Sequence, residues 1–187
     1  MSPPRILALD LSLVRSGVCE PDGTTSCIVP GALSGMERID HIVRRVQALA
    51  CGVDLVVCEG YSFGSKGRAV FSIAEMGGCV RFLLHRLGVP YVDVAPGSLK
   101  KWATGNGGSA KVDMVVAARE RFGLEGTTDD NRADAYLLWA MARHAFGDPI
   151  RKPTQYQVEA LAKVDWPRLP PLVVHSPQTA PCGRVGV

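Results

Sequence analysis

Arg5-Ile-Leu-Ala-Leu-Asp10 is an apolar run ended by an acid. A run of this length bounded by a charge reads as a strand whose last residue leaves the core. Two shorter candidate strands follow, Gly17 to Glu20 and Ser26 to Val29. Arg15-Ser16 and Pro21-Asp22-Gly23 separate them with turn chemistry. Strands joined this tightly predict an antiparallel meander. The pattern then changes. Ile39, Ile42, Val43, Val46 and Leu49 mark one face of a helix running from a cap at Ser34 to about Ala50. Asp54-Leu-Val-Val-Cys58 is again continuously apolar and again ends in an acid, Glu59; such a run suits the buried middle of a sheet.

Beyond Glu59 a glycine-rich loop, Gly60 to Gly67, leads into a helix over about Ala69 to Leu87. A strand follows over Val89 to Val94. Helices are then expected at Pro96 to Ala103, Ala110 to Phe122 and Asp130 to Phe146. Helices alternating with strands after an antiparallel start predict an α/β domain with a central mixed sheet and flanking helices. That domain would occupy residues 1–147. After Gly147, Pro149, Pro153, Pro167, Pro170, Pro171, Pro177 and Pro181 hold more than half of the 13 prolines. Residues 148–187 therefore read as a Pro-rich tail, partly ordered at most, with one helix near Gln155 to Lys163.

Composition narrows the class. The chain has 187 residues, 47% of them hydrophobic, enough for one domain with a true core. The net charge of +3 excludes a histone-like polycation and a strongly acidic solvating protein. No apolar run reaches the roughly 18 residues of a membrane span, and the acid at position 10 comes too soon for a signal peptide. The 6 cysteines form no C-x-x-C pair and none has a histidine at zinc-ligand spacing. A reduced, cytoplasmic protein without a zinc site is expected.

The chemistry lies in the acids at element ends. Asp10 and Glu59 close two apolar strands, and Asp134 sits in Asn131-Arg-Ala-Asp-Ala-Tyr-Leu-Leu-Trp139, which is otherwise largely apolar. A carboxylate in such surroundings is costly without a partner, and no Lys or Arg stands in local register with all three. A strand-end acid also serves as a helix cap or a solvated turn residue. All three together point instead to a divalent cation held by carboxylate oxygens. Asp130 and Asn131 can share the face of Asp134 at helical spacing, while Asp129 suits the cap.

The ordered set Asp10 in ILALDLS, Glu59 in VVCEG and Asp134 in DDNRADAYLLW resembles the RuvC Holliday-junction resolvases of the RNase H-like nuclease superfamily. The resemblance covers roughly residues 5–146. It extends to the loop from Val94 to Lys111, where Lys100 and Lys111 flank a Gly-x-Gly turn at Gly105. The resemblance implies an RNase H-like fold and a homodimer that cuts branched DNA with two ions. Mg²⁺ is expected, with Mn²⁺ as a substitute. The ligands would be Asp10, Glu59, Asp130 and Asp134, with Lys111 offsetting charge on the phosphate. In the family a fourth ligand stands three residues before the last acid. This chain has Asn131 there, a weaker neutral ligand, and Asp130 one residue earlier is its candidate replacement.

Nucleic-acid contacts are expected from Lys100, Lys101, Lys66 and Arg68, and from Tyr61 or Phe63, the aromatic residues flanking the family's base-stacking position. Each of these also has an ordinary reading, as a solvated lysine or a core aromatic ring. Phe71, Met76, Val80, Leu83 and Leu87 line either a dimer interface or the core, the core being favoured. Two rival functions stand beside the nuclease. A binding module would hold branched DNA without cutting it. A phosphotransferase is suggested by a faint likeness of Asp10-x-Ser12 and Gly17 to the phosphate loop of sugar kinases, in a chain too short for their two domains.

Overall fold

A computed structural model describes residues 3–61 and 68–169, with Arg68 and Ala69 described by backbone alone. Strands β1 (Ile6–Asp10), β2 (Ser16–Cys19) and β3 (Thr25–Ile28) form the expected antiparallel meander. Helix α1 (Gly35–Leu49) crosses to β4 (Leu55–Glu59), which lies parallel to β1. Helix α2 (Arg68–Leu87) crosses to β5 (Tyr91–Val94), parallel to β4. The sheet is five-stranded and mixed, in the order β3-β2-β1-β4-β5. Helices α3 (Pro96–Thr104), α4 (Lys111–Val116), α5 (Asp130–Ala145) and α6 (Gln155–Leu161) complete the described chain.

Element ends differ from expectation for identifiable reasons. The strand expected from Val89 starts at Tyr91, because Gly88 (φ 67°) closes α2. There the amide of Val89 donates to Leu84 O at 3.0 Å and that of Gly88 to His85 O at 3.0 Å, the paired bonds of a Schellman end. The single helix expected over Ala110 to Phe122 is α4 followed by a π-helical turn over Ala117–Arg121, where Phe122 N reaches Ala117 O. Ser34 occupies the N-cap of α1, but its hydroxyl makes no capping bond.

The central strands are buried on both faces, so two cores form. Ile6, Ala8, Leu55 and Val57 face α3, α4 and α5. Leu7, Leu9, Val56 and Cys58 face α1 and α2, meeting Ile42, Val46, Met76 and Val80. Of the stripe read on α2, Met76 and Val80 are fully buried and Leu83 and Leu87 pack against the same core. Phe71 alone of the five is exposed. Helix α5 is apolar nearly all round because sheet residues cover one side and α3 and α4 lie against it elsewhere. Beyond Gly147, α6 docks on α3, and Trp166 meets Phe146 edge-on at 6.0 Å. The remainder of the Pro-rich tail, 170–187, lies outside the described residues. No described helix is long and apolar enough to cross a membrane.

Candidate active site

Strand periodicity decides where the acids go. Side chains alternate along β1, so Asp10 falls on the face of Ile6 and Ala8. By the same count Glu59 joins Leu55 and Val57 on β4. Parallel pairing sets Leu9 opposite Cys58, which brings Asp10 and Glu59 side by side at the carboxyl end of the sheet. Helix α5 crosses that face and adds Asp134.

The approach of α5 depends on a residue whose importance the sequence reading missed. Gly17 pairs with Asp10 across β1 and β2. A Cβ at Gly17 would stand 1.9 Å from the carbonyl oxygen of Asn131, so only glycine lets the first turn of α5 rest on β2. A glycine inside a strand is a known sign of close backbone approach, and that was the signal available. Asp129 caps α5 as expected, accepting from Arg132 N at 3.2 Å, and also holds Arg15.

The three inner acids press on one another. Burial, then the charge of Glu59, pushes the Asp10 carboxyl up to about 7. Burial and then Asp134 raise Glu59 to about 6. Burial and then Asp10 raise Asp134 to about 7. A hydrogen bond between the two carboxyls adds to the rise of Asp10 and opposes that of Glu59. Among the described residues, Asp134 Oδ1 is buried without a hydrogen-bond partner. The outer acid behaves differently. Asp130 is ion-paired with Lys111 Nζ at 2.5 Å, and that bond holds its carboxyl below the usual range. Lys111 is raised by the same contact. The charge of Lys100 is felt at both Glu59 and Asp134.

Lys101, the neighbour of Lys100, is not in this group. It pairs with Glu159 of α6 at 2.9 Å. Tyr61 lies beside Glu59 but is tied to α2. Its hydroxyl donates to Ala74 O at 3.1 Å and accepts from Arg81 Nη1 at 2.9 Å. The Arg81 guanidinium also covers the ring, 4.6 Å from its centre, and forks onto Asp93 of β5. Gly77 makes room, since a Cβ there would meet the Tyr61 hydroxyl at 2.3 Å. This network braces the end of β4, and its members are too far apart in sequence to announce it. Phe63, Lys66 and the side chain of Arg68 lie outside the described residues.

Among the described residues, no three acidic, histidine or cysteine side chains as they stand could hold a metal ion. The donor chemistry nonetheless suits a hard divalent cation. The inner donors are oxygens only, one of them has no hydrogen-bond partner among the described residues, and three carboxyls are raised by burial and by one another's charge.

No protein-family model matches the chain. It is 28% identical over 140 residues to the crossover junction endodeoxyribonuclease RuvC of Anaeromyxobacter dehalogenans (strain 2CP-1), covering 74% of this chain and 72% of that protein. It is 29% identical over 142 residues to the RuvC of Anaeromyxobacter sp. (strain K), again covering 74% and 72%. Among solved structures it is similar to T. thermophilus RuvC in complex with Holliday junction substrate. There the TM-score is 0.64 at 19% identity, covering 76% of this chain and 93% of that one. A second structure of Thermus thermophilus RuvC gives a TM-score of 0.61 at 19% identity, with 80% and 99% covered. The fold is therefore RNase H-like, as the resemblance implied.

Proposed function

We propose that this chain is a metal-dependent endonuclease that cuts branched DNA, with the four-way junction as its substrate. One observation carries the reading. Asp10 and Glu59 stand together at the ends of adjacent parallel strands, and α5 brings Asp134 with a buried oxygen that has no partner among the described residues. A module that only bound DNA would gain nothing from buried acids facing phosphates. The likeness to curated RuvC proteins supports the same reading.

Asp10, Glu59, Asp134 and Asp130 are the residues that would hold Mg²⁺, or Mn²⁺ in its place. Two such ions supply a water made nucleophilic at neutral pH and stabilisation of the leaving oxygen. The rest falls to the chain. Lys111 stands at the rim, 74% exposed, where its ammonium can leave Asp130 for a phosphate oxygen. Lys100 adds a second positive charge beside Glu59 and Asp134. The exposed turn Gly105–Gly108 lies between the two lysines, where the absence of side chains at Gly105, Gly107 and Gly108 lets a backbone phosphate approach closely. The packed sheet keeps Asp10 and Glu59 in fixed relation, so little of their ordering cost is left for the substrate to meet.

Two matched cuts need two sites. Phe71, Gly78 and Phe82 lie on one exposed face of α2, and the open space over Gly78 would admit a second helix. A two-fold dimer through this face is part of the proposal.

The test is a gel assay with end-labelled four-way junction, flap and linear duplex, each with Mg²⁺, Mn²⁺ or EDTA. Paired nicks across the junction, dependent on metal and absent in Asp10→Asn, are expected. Equal cutting of flaps would widen the substrate. Tight junction binding without cutting under either metal would overturn the enzyme and leave a binding module.

A further inference from the structure

We propose that segment 148–169 is a brace that positions the loop between Lys100 and Lys111, and that Tyr156 is its positioning residue. The inference rests on the reading of that loop as the phosphate-binding rim. The loop pivots on Gly105, which ends α3 in the left-handed region (φ 91°) with its amide on Lys101 O. On one side the loop is knit by its own bonds. Thr104 Oγ1 and Ser109 Oγ are 2.7 Å apart, and Gly108 N donates to Asn106 Oδ1 at 3.0 Å. On the other side stands α6. The ring of Tyr156 lies 3.8 Å from where a Cβ of Gly105 would be, so the pivot has an aromatic wall against it.

The wall is itself secured. Arg121 Nη1 donates to the carbonyls of Ala103 and Thr104 at 3.3 Å and lies 3.4 Å from Tyr156 Oη. Arg151 Nη1 donates to Arg121 O at 2.7 Å. Lys101 and Glu159 tie α3 to α6 one residue beyond Lys100. Buried Gln157 and Ala160, with Trp166 against Phe146, hold the segment to the core. A helix as short as α6 does not form alone in water, so it exists because it is docked. Ordering contributed in advance by the brace is ordering that DNA need not supply.

The full chain carrying Tyr156→Ala, Tyr156→Phe or Glu159→Gln tests this. Hydrogen exchange is read over 104–111, and junction affinity by fluorescence anisotropy in EDTA. Tyr156→Ala should speed exchange in that segment about tenfold, leave β1 and β4 protected, and weaken junction binding about fivefold. Tyr156→Phe should stay close to the parent, since it keeps the ring against Gly105 and loses only the long 3.4 Å contact with Arg121. Glu159→Gln should show the same loosening to a smaller degree. Unchanged exchange at 104–111 in Tyr156→Ala, or loosening spread evenly over the sheet, would overturn the brace. If the parent protein bound no junction, the rim reading would fall while the exchange result still judged the brace.

Discussion

The inner acids of this site and the lysines around its rim are built in opposite ways. Asp10, Glu59 and Asp134 are placed by strand register and a packed helix, sit largely buried, and have no ion-pair partner among the described residues. Lys101 and Lys111 stand on helices around an exposed glycine loop and already have carboxylate partners, Glu159 and Asp130. The buried set stores unfavourable electrostatics in a rigid frame. The rim set is satisfied and adjustable. A cation should therefore act chiefly on the first, and a phosphate chiefly on the second.

Removing an inner acid should break the comparison most sharply. Asp10→Asn keeps the shape of the site and is expected to reduce junction cleavage below detection, while binding in EDTA stays intact or tightens. Gly17→Ala attacks the frame rather than the charge. Its Cβ would collide with Asn131 O, so the first turn of α5 must lift, carrying Asp130 and Asp134 with it. Thermal melts should show a loss of about 1–3 kcal/mol, and cleavage should fall further than the melt explains. At the rim, Lys111→Met should lower the cleavage rate by roughly 100-fold with a stability change too small to resolve, because the lysine is exposed.

The smallest effect is a pH dependence. Native Asp134 keeps its proton up to about 7, whereas the unfolded chain releases it near 3.8. The native state thus binds more protons between those values, and stability falls as pH rises through that window. Asp10 and Glu59 act in the same sense. Asp130, held low by Lys111, works oppositely at the acidic end. Metal-free protein should then melt higher at pH 5 than at pH 8. Asp134→Asn should flatten that slope and melt higher than the parent at pH 8. Added Mg²⁺ should raise the melting temperature more at pH 8 than at pH 5. A parent protein with no such slope would show that the acids are not buried together.

Much of the inner set was legible in the chain. Apolar runs closed by Asp10 and Glu59 gave both strands and their exits from the core, and the cap at Asp129 fixed the start of α5. What could not be read were relations between distant residues. Lys101 and Lys100 are adjacent and alike in sequence, yet one faces Glu159 and the other the acids, because successive helical positions point about 100° apart. Tyr61 carried two open readings, and Gly77, Arg81 and Asp93 together seat it against α2.

The sequence by itself determined the strand and helix menu, the mixed character of the sheet and the identity of the inner acids. Hydrophobic periodicity and backbone chemistry are local and leave a direct trace in the order of residues. Only the tertiary structure decided that Asp10 and Glu59 are neighbours, that Gly17 sets the height of α5, and that Tyr156 stands behind Gly105. Those facts are contacts between surfaces brought together by folding, and each depends on the register and packing of elements that no single stretch contains.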